Sequence, residues 1–246
     1  MSTGAGRVVE LGAVVAATLA LLAALARPAV AASAVPPVVR SGVSGCKRIA
    51  LTFDLCPVRD PVGFDTALVE LLATSHTPAT FFASGRWLSK HDDRVAELLA
   101  VPSFELGTHG AVHAHLHALD RDQQREEIAA PVKQLEERHG RHATLFRPPY
   151  GELDETTLQV AAELGQTVVL WSAVSGDPNP HLAAKTMLTS LRPQLHDGTI
   201  IVMHANGKGV HTRELVGMLL PAIAAAGLEP VTVSELLKGC PDAAAR

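Results

Sequence analysis

His109 and His113 stand four residues apart, directly after the short apolar segment Phe104-Glu105-Leu106-Gly107. At i and i+4, two imidazoles share one face of a helical turn, so both can reach one metal ion. The chain holds 12 histidines, four of them between His109 and His117, so spacing alone decides little. A metal needs more than two protein ligands, and the natural supplier is Asp54, at the end of the apolar run Ile49-Ala50-Leu51-Thr52-Phe53. A carboxylate there suits a metal ligand or a general base. Either role points to metal-assisted hydrolysis.

Other residues join this set. In Arg147-Pro148-Pro149-Tyr150-Gly151, two prolines fix the backbone and the glycine permits a tight turn, which makes a rigid wall holding Arg147 inward. Trp171 ends another apolar run and is followed by Ser175-Gly176-Asp177. His204 follows Ile200-Ile201-Val202-Met203, and a carboxylate beside it, Asp177, would fix its tautomer and raise its basicity. The Gly-rich stretch from His204 to His211 suits a groove-lining loop. His115 and His117 point off the face shared by the pair and read as surface.

These side chains need a scaffold. Strands are predicted at 48–54, 79–83, 104–107, 144–147, 167–171, 199–204 and 228–233. Helices are predicted at 64–74, 92–100, 120–139, 154–164, 182–195 and 212–226, with Asp154 and Thr212 as helix-starting residues. About seven parallel strands alternating with helices give an α/β fold. The residues of interest fall at the C-terminal ends of several strands, and no Gly-rich phosphate loop is present. Both facts favour a distorted (β/α) barrel over a doubly wound sheet. A single domain over 46–240 and a tail at 241–246 are expected.

With 246 residues, 47% of them hydrophobic, the chain can bury a large core. Its formal charge of −4 and its dispersed Lys and Arg exclude a nucleic-acid platform. Arg7, the apolar stretch from Leu11 to Ala26 and the small residues Ala29-Val30-Ala31 have the layout of a secretory signal peptide. Residues 1–31 are therefore expected to be a signal or, uncleaved, a membrane anchor, and 32–45 a linker. A secreted or cell-envelope location permits disulfides. Of three cysteines, Cys46 and Cys240 flank the domain and are the preferred pair, which leaves Cys56 free.

Taken in order, Thr52-Phe53-Asp54, His109-x-x-x-His113, Arg147-Pro148-Pro149-Tyr150-Gly151, Trp171 with Asp177, and Ile201-Val202-Met203-His204 resemble the motifs of the polysaccharide deacetylases. This is carbohydrate esterase family 4, which includes the nodulation-type chitooligosaccharide deacetylases. The resemblance spans residues 48–237. It implies a distorted barrel and a divalent metal, usually zinc, with cobalt, manganese or nickel as alternatives. The implied partner is an acetylated glycan, with N-acetyl favoured over O-acetyl. By position, Asp54 matches the general base, Arg147 the residue orienting it, the Tyr150 backbone N–H an oxyanion donor, and His204 the general acid supported by Asp177. His109 and His113 match metal ligands. Pro149, Trp171 and Asn206 are candidates for the substrate groove.

The chain departs from the family at one point. The first motif normally carries two adjacent carboxylates, base then metal ligand, and the second is here Leu55. Three consequences follow as alternatives: Asp54 also binds the metal, Cys56 enters as a thiolate, or the site binds metal poorly. The first is the expectation. The last corresponds to a catalytically impaired glycan-binding or envelope protein on the same barrel.

Overall fold

The computed structural model describes residues 1–4, 37–59 and 62–240. The expected signal segment and the tail at 241–246 lie outside the described residues, apart from 1–4. Residues 37–240 form an α/β unit in which strands and helices alternate.

The first half comprises β1 (Arg48–Leu55), α1 (Thr66–Thr74), β2 (Ala79–Ala83), α2 (Gly85–Lys90), α3 (Asp92–Leu99), β3 (Phe104–Thr108) and α4 (Arg121–His139). The second comprises β4 (Leu145–Phe146), α5 (Glu155–Glu163), β5 (Thr167–Val168), β6 (Ala173–Val174), α6 (Ala184–Leu191), β7 (Ile200–His204), α7 (Thr212–Ala225), β8 (Glu229–Val231) and α8 (Val233–Leu237). Seven strands run in the order β5-β4-β3-β2-β1-β7-β6, all pairs parallel, and β8 adds to the start of β1. The sheet curls into a distorted (β/α) half-barrel, as the polar residues at several strand ends predict. The predicted strands at 144–147 and 167–171 shorten to two-residue ladders. Neither β6 nor the short helices α2 and α8 were foreseen, because two to six residues carry too little periodicity.

Strand alternation sorts β1 into two layers. Ile49, Leu51, Phe53 and Leu55 point outward into the main core under α1, α2 and α7. Ala50 points inward, to a smaller cluster with Phe82, Val169, Ile200 and Leu236. Thr52 also turns inward and donates its hydroxyl to the Ile201 carbonyl at 2.6 Å. The next inward position is Asp54.

The segment expected as a linker is part of the domain from Val38 onward. Val39 exchanges backbone hydrogen bonds with Val168 and Leu170, and Ser41 bridges Thr199. Gly42 sits so close to Leu236 that an added Cβ would meet its Cγ at 2.3 Å. The extended chain there finds ladder partners that a free linker lacks. Cys46 and Cys240 form the expected disulfide, closing 194 residues of sequence separation.

Candidate active site

Register brings the site together. Asp54 on β1 is the direct neighbour of His204 on β7 and of Phe82 on β2. Ala83 pairs with Thr108, and Thr108 with Phe146, so His109 and Arg147 follow at the same level. All these side chains emerge at the C-terminal end of the parallel sheet, the end where barrels expose loops. A cavity of about 420 Å³ opens there, lined by Asp54, Cys56, His109, His113, Tyr150, Trp171, Asp177, Lys208 and His204.

Asp54 is buried against Arg147, which is itself wholly enclosed. Arg147 Nη1 donates to Asp54 Oδ1 at 2.8 Å, Nη2 donates to the Leu170 carbonyl at 3.2 Å, and Nε faces the Val169 carbonyl at 3.4 Å. The guanidinium lies 4.0 Å over the Phe82 ring and 5.5 Å from that of Trp171. Burial alone would raise the Asp54 pKa. The cation of Arg147, helped by His109 and His204, outweighs it and holds the carboxylate below its ordinary 3.8. Asp54 therefore stays ionised.

His204 has the opposite bias. Its Nδ1 lies 3.0 Å from Asp177 Oδ1, and its backbone N–H donates to Asp177 Oδ2 at 2.7 Å. Asp177 is fixed in turn by the hydroxyls of Ser175 at 2.9 Å and Thr212 at 2.8 Å. Burial lowers the imidazole pKa, but the Asp177 hydrogen bond and the Asp54 charge raise it further, so the net direction is above 6.5. Thr212 thus serves the site rather than capping α7, whose N-cap position is His211. Gly209 is required alongside, since a Cβ there would meet Thr212 Oγ1 at 2.4 Å and the His204 carbonyl at 2.6 Å.

The histidine pair converges, but not on a helix. Residues 109–115 form a loop, turned by left-handed backbone at Gly110 (φ 72°) and His113 (φ 67°). A Cβ at Gly110 would crowd Glu127 and Pro149, each at 3.0 Å, so both the left-handed turn and the close packing there call for glycine. The loop is anchored by bonds from Gly85 and Arg86 to the carbonyls of Gly110 and Ala111, and by the Val112 N–H on the buried Glu127 carboxylate. His109 Nδ1 donates to the Arg147 carbonyl at 2.8 Å, which leaves the Nε2 lone pair facing the cavity. Burial lowers the pKa of both imidazoles, that of His113 to about 4, with the neighbouring His109 adding to the shift. Neutral imidazoles are what a metal requires.

Asp54 Oδ2 stands 3.7 Å from His109 Nε2, beside the pair. The third donor drawn into the histidine cluster is the thiol of Cys56: one donor atom each from Cys56, His109 and His113 lies within 4.8 Å of the others. Leu55 points away into the outer core and is 0% exposed. Burial, reinforced by the Asp54 charge, pushes the Cys56 thiol up and keeps its proton on.

Tyr150, expected to present its N–H, occupies a strained left-handed position (φ 60°) on the cavity rim and is 53% exposed. Its ring stacks on His115 at 4.1 Å and meets His113 edge-on at 4.5 Å. His115 and His117 are exposed, both within 3.1 Å of Glu152. Of the expected groove residues, Trp171 lines the cavity. Pro149 and Asn206 are buried behind it, because Pro149 packs on Gly110 and the Asn206 amide is spent on the Cys56 carbonyl at 2.7 Å. Sequence reasoning missed Asn206, Ser175, Thr212 and Glu127 as supports. Asn206 and Thr212 follow His204 at short range, and that proximity was the available signal.

A family model described as polysaccharide deacetylase matches residues 41–169. The chain is 32% identical over 184 residues to a bifunctional xylanase/xylan deacetylase of Cellvibrio japonicus, covering 74% of this chain and 26% of that protein. It is 30% identical over 198 residues to a peptidoglycan-N-acetylglucosamine deacetylase of Bacillus cereus, covering 78% and 89%. The chain thus spans about a quarter of the first relative and most of the second. Among solved structures, a family 4 carbohydrate esterase from Streptomyces lividans in complex with acetate superimposes with a TM-score of 0.65 at 26% identity, over 74% of this chain and 91% of that one. A family 4 (CE4) pseudoenzyme from Bacillus anthracis gives 0.74 at 20% identity, over 82% and 69%, a likeness of fold alone.

Proposed function

The chain belongs to the polysaccharide deacetylase family, and from that premise we propose that it is an exported, metal-dependent hydrolase that removes N-acetyl groups from a glycan. The observation that carries this reading is the facing pair Asp54 and His204. They are neighbours across β1 and β7, one biased to stay ionised and the other to stay protonated. Base and acid thus stand side by side at the strand ends that open into one cavity, as amide hydrolysis can use.

In this reading Asp54 takes the proton of the attacking water through Oδ2, while Arg147 holds Oδ1 and keeps the carboxylate from turning. The Tyr150 N–H serves the developing oxyanion. His204 delivers its proton to the leaving amine, held toward it by Asp177. The donor set beside the base, two neutral imidazoles and a thiol, suits a borderline-soft divalent ion such as zinc. When bound, such an ion polarises the acetyl carbonyl and lowers the pKa of water. His109 and His113 hold it, with Asp54 adjacent.

Trp171 and the exposed Tyr150 offer apolar faces to a sugar ring. The Cys46–Cys240 disulfide supports an extracytoplasmic, cell-envelope location. No helix among the described residues is long and apolar enough to cross a membrane. The test is acetate release from peptidoglycan, chitooligosaccharide and acetylated xylan, with and without chelator. Release that chelator stops and zinc or cobalt restores is the expected result. Leu55, standing where the family carries a carboxylate, favours one rival: an inert glycan-binding protein, for which no substrate would yield acetate under any metal.

A further inference from the structure

The missing carboxylate leaves a question about ligands that the fold answers two residues after the base. In an extended strand, side chains alternate, so positions 54 and 56 share the inner side and 55 faces out. Leu55 does so, packing with Phe53, Phe81 and Leu88 in the outer core. Cys56 turns toward the cavity, and its Sγ lies 3.5 Å from His113 Nε2. Tetrahedral coordination with ordinary zinc–sulfur and zinc–nitrogen bond lengths separates those two atoms by about 3.5 Å.

We propose that Cys56 supplies the third protein ligand of the metal site, as a thiolate beside His109 and His113, leaving Asp54 to act as base. The proposal rests on the reading of the site as a metal-dependent hydrolase. On binding, the thiol proton leaves to solvent and the freed sulfur lone pair goes to the metal, with no change of oxidation state. The ordinary alternative for a buried cysteine is a small apolar filler. Cys56 does not behave as one, since it packs in none of the three hydrophobic clusters and lines the cavity instead.

Its backbone is also held. The Cys56 carbonyl accepts from Asn206 Nδ2 at 2.7 Å and from the Val58 N–H at 2.9 Å. The Leu55 carbonyl before it accepts from both the hydroxyl and the N–H of Ser84. These bonds fix the turn out of β1 from two sides, by the loops after β7 and β2. They aim the thiol without using it. The carboxylate of Asp54 meanwhile has one oxygen committed to Arg147, so its second oxygen remains for proton transfer.

The experiment uses the full chain loaded with Co²⁺. A thiolate ligand gives an intense near-ultraviolet sulfur-to-cobalt charge-transfer band that a site of nitrogen and oxygen lacks. Wild type is expected to show that band. Cys56→Ser should lose it while keeping weak visible cobalt bands, and its zinc affinity should fall on the order of 10–100-fold or more. Cys56→Asp, which returns an oxygen ligand, should lose the band yet bind zinc more tightly than Cys56→Ser. It also serves if the serine variant misfolds. Cobalt bound without the band in wild type, or a band that survives in the folded variants, overturns the assignment and leaves the hydrolase reading standing. A wild-type chain that binds no cobalt at all overturns both.

Discussion

The two halves of the cavity are built differently. On one side, Asp54 and His204 sit at strand ends and are buttressed by side chains: Arg147 over Phe82 behind the first, and Asp177 with Ser175 and Thr212 behind the second. On the other side, Cys56, His109 and His113 sit on loops whose backbone is pinned by Asn206, Ser84 and Glu127. Proton transfer needs fixed donors and acceptors whose pKa values are set by neighbours, and it gets charged partners. Metal binding needs deprotonated donors at a common distance, and it gets a buried His109, a half-buried His113 and a thiol, all on backbone struts. The difference predicts that the two halves fail separately.

The strongest way to break the comparison is to remove the reacting groups. Asp54→Asn and His204→Ala should each cut acetate release on the order of 10²–10⁴-fold. Metal content should stay near wild type in His204→Ala. Loss of bound metal from that variant, measured by elemental analysis, would show that the halves are one unit. His109→Ala and His113→Ala should do the reverse and empty the metal site first.

This division also explains what was legible in the sequence. The strand-end residues were readable because a polar residue closing an apolar run has one expected location in a parallel α/β fold. Asp54, Arg147 and His204 are all of this kind. The parallel α/β architecture followed from the alternation of elements, and its curl from the polar residues at the ends of several different strands. The loop side was less legible. His109 and His113 were found by spacing, but for the wrong reason, since left-handed turns at Gly110 and His113 replace the helix that i, i+4 suggests. Cys56 stands in the sequence only as one of three ways to make good the missing carboxylate, with Asp54 preferred, because the convergence of its thiol with the two imidazoles depends on loops that carry no periodicity. The role of Val39 and Ser41 in the sheet was hidden in Ala, Val and Pro-rich sequence that carries no periodicity.

A second break targets the buttress behind the base. Arg147→Met keeps much of the volume but strands the Asp54 carboxylate in a buried site. It should cost about 3–5 kcal/mol of stability, as loss of one partner of a buried ion pair does. The urea midpoint measures it. A cost below about 1 kcal/mol would mean that Asp54 finds another partner or a proton, and that Arg147 does not set its charge.

The buttress behind the acid is read by pH. Because the His204 pKa is raised above 6.5, its protonated form persists to higher pH and activity falls only as pH climbs through that raised value. The Asp54 limb lies on the other side, below 3.8, so the profile should be broad. In Asp177→Asn the raising hydrogen bond to a carboxylate is gone while burial remains. The alkaline limb should then move to lower pH, and the acid limb should not move. A limb that stays in place would show that Asp177 is not what raises the His204 pKa.

The smallest effect tests how far the support reaches. Thr212→Val keeps the shape of the first residue of α7 and deletes one of the donors to Asp177, the one 2.8 Å from Oδ2. The others, from Ser175, the His204 N–H and the His204 ring, remain. Stability should fall by roughly 1.5–3 kcal/mol, the range for a hydrogen bond to a charged group. The alkaline limb should move less than in Asp177→Asn, because the Asp177 charge remains, with zinc affinity unchanged. A matching fall in zinc affinity would show that the α7 end of the network also tensions the Asn206–Cys56 strut. The two halves would then be coupled through the loop after β7, where Asn206 and Thr212 stand six residues apart.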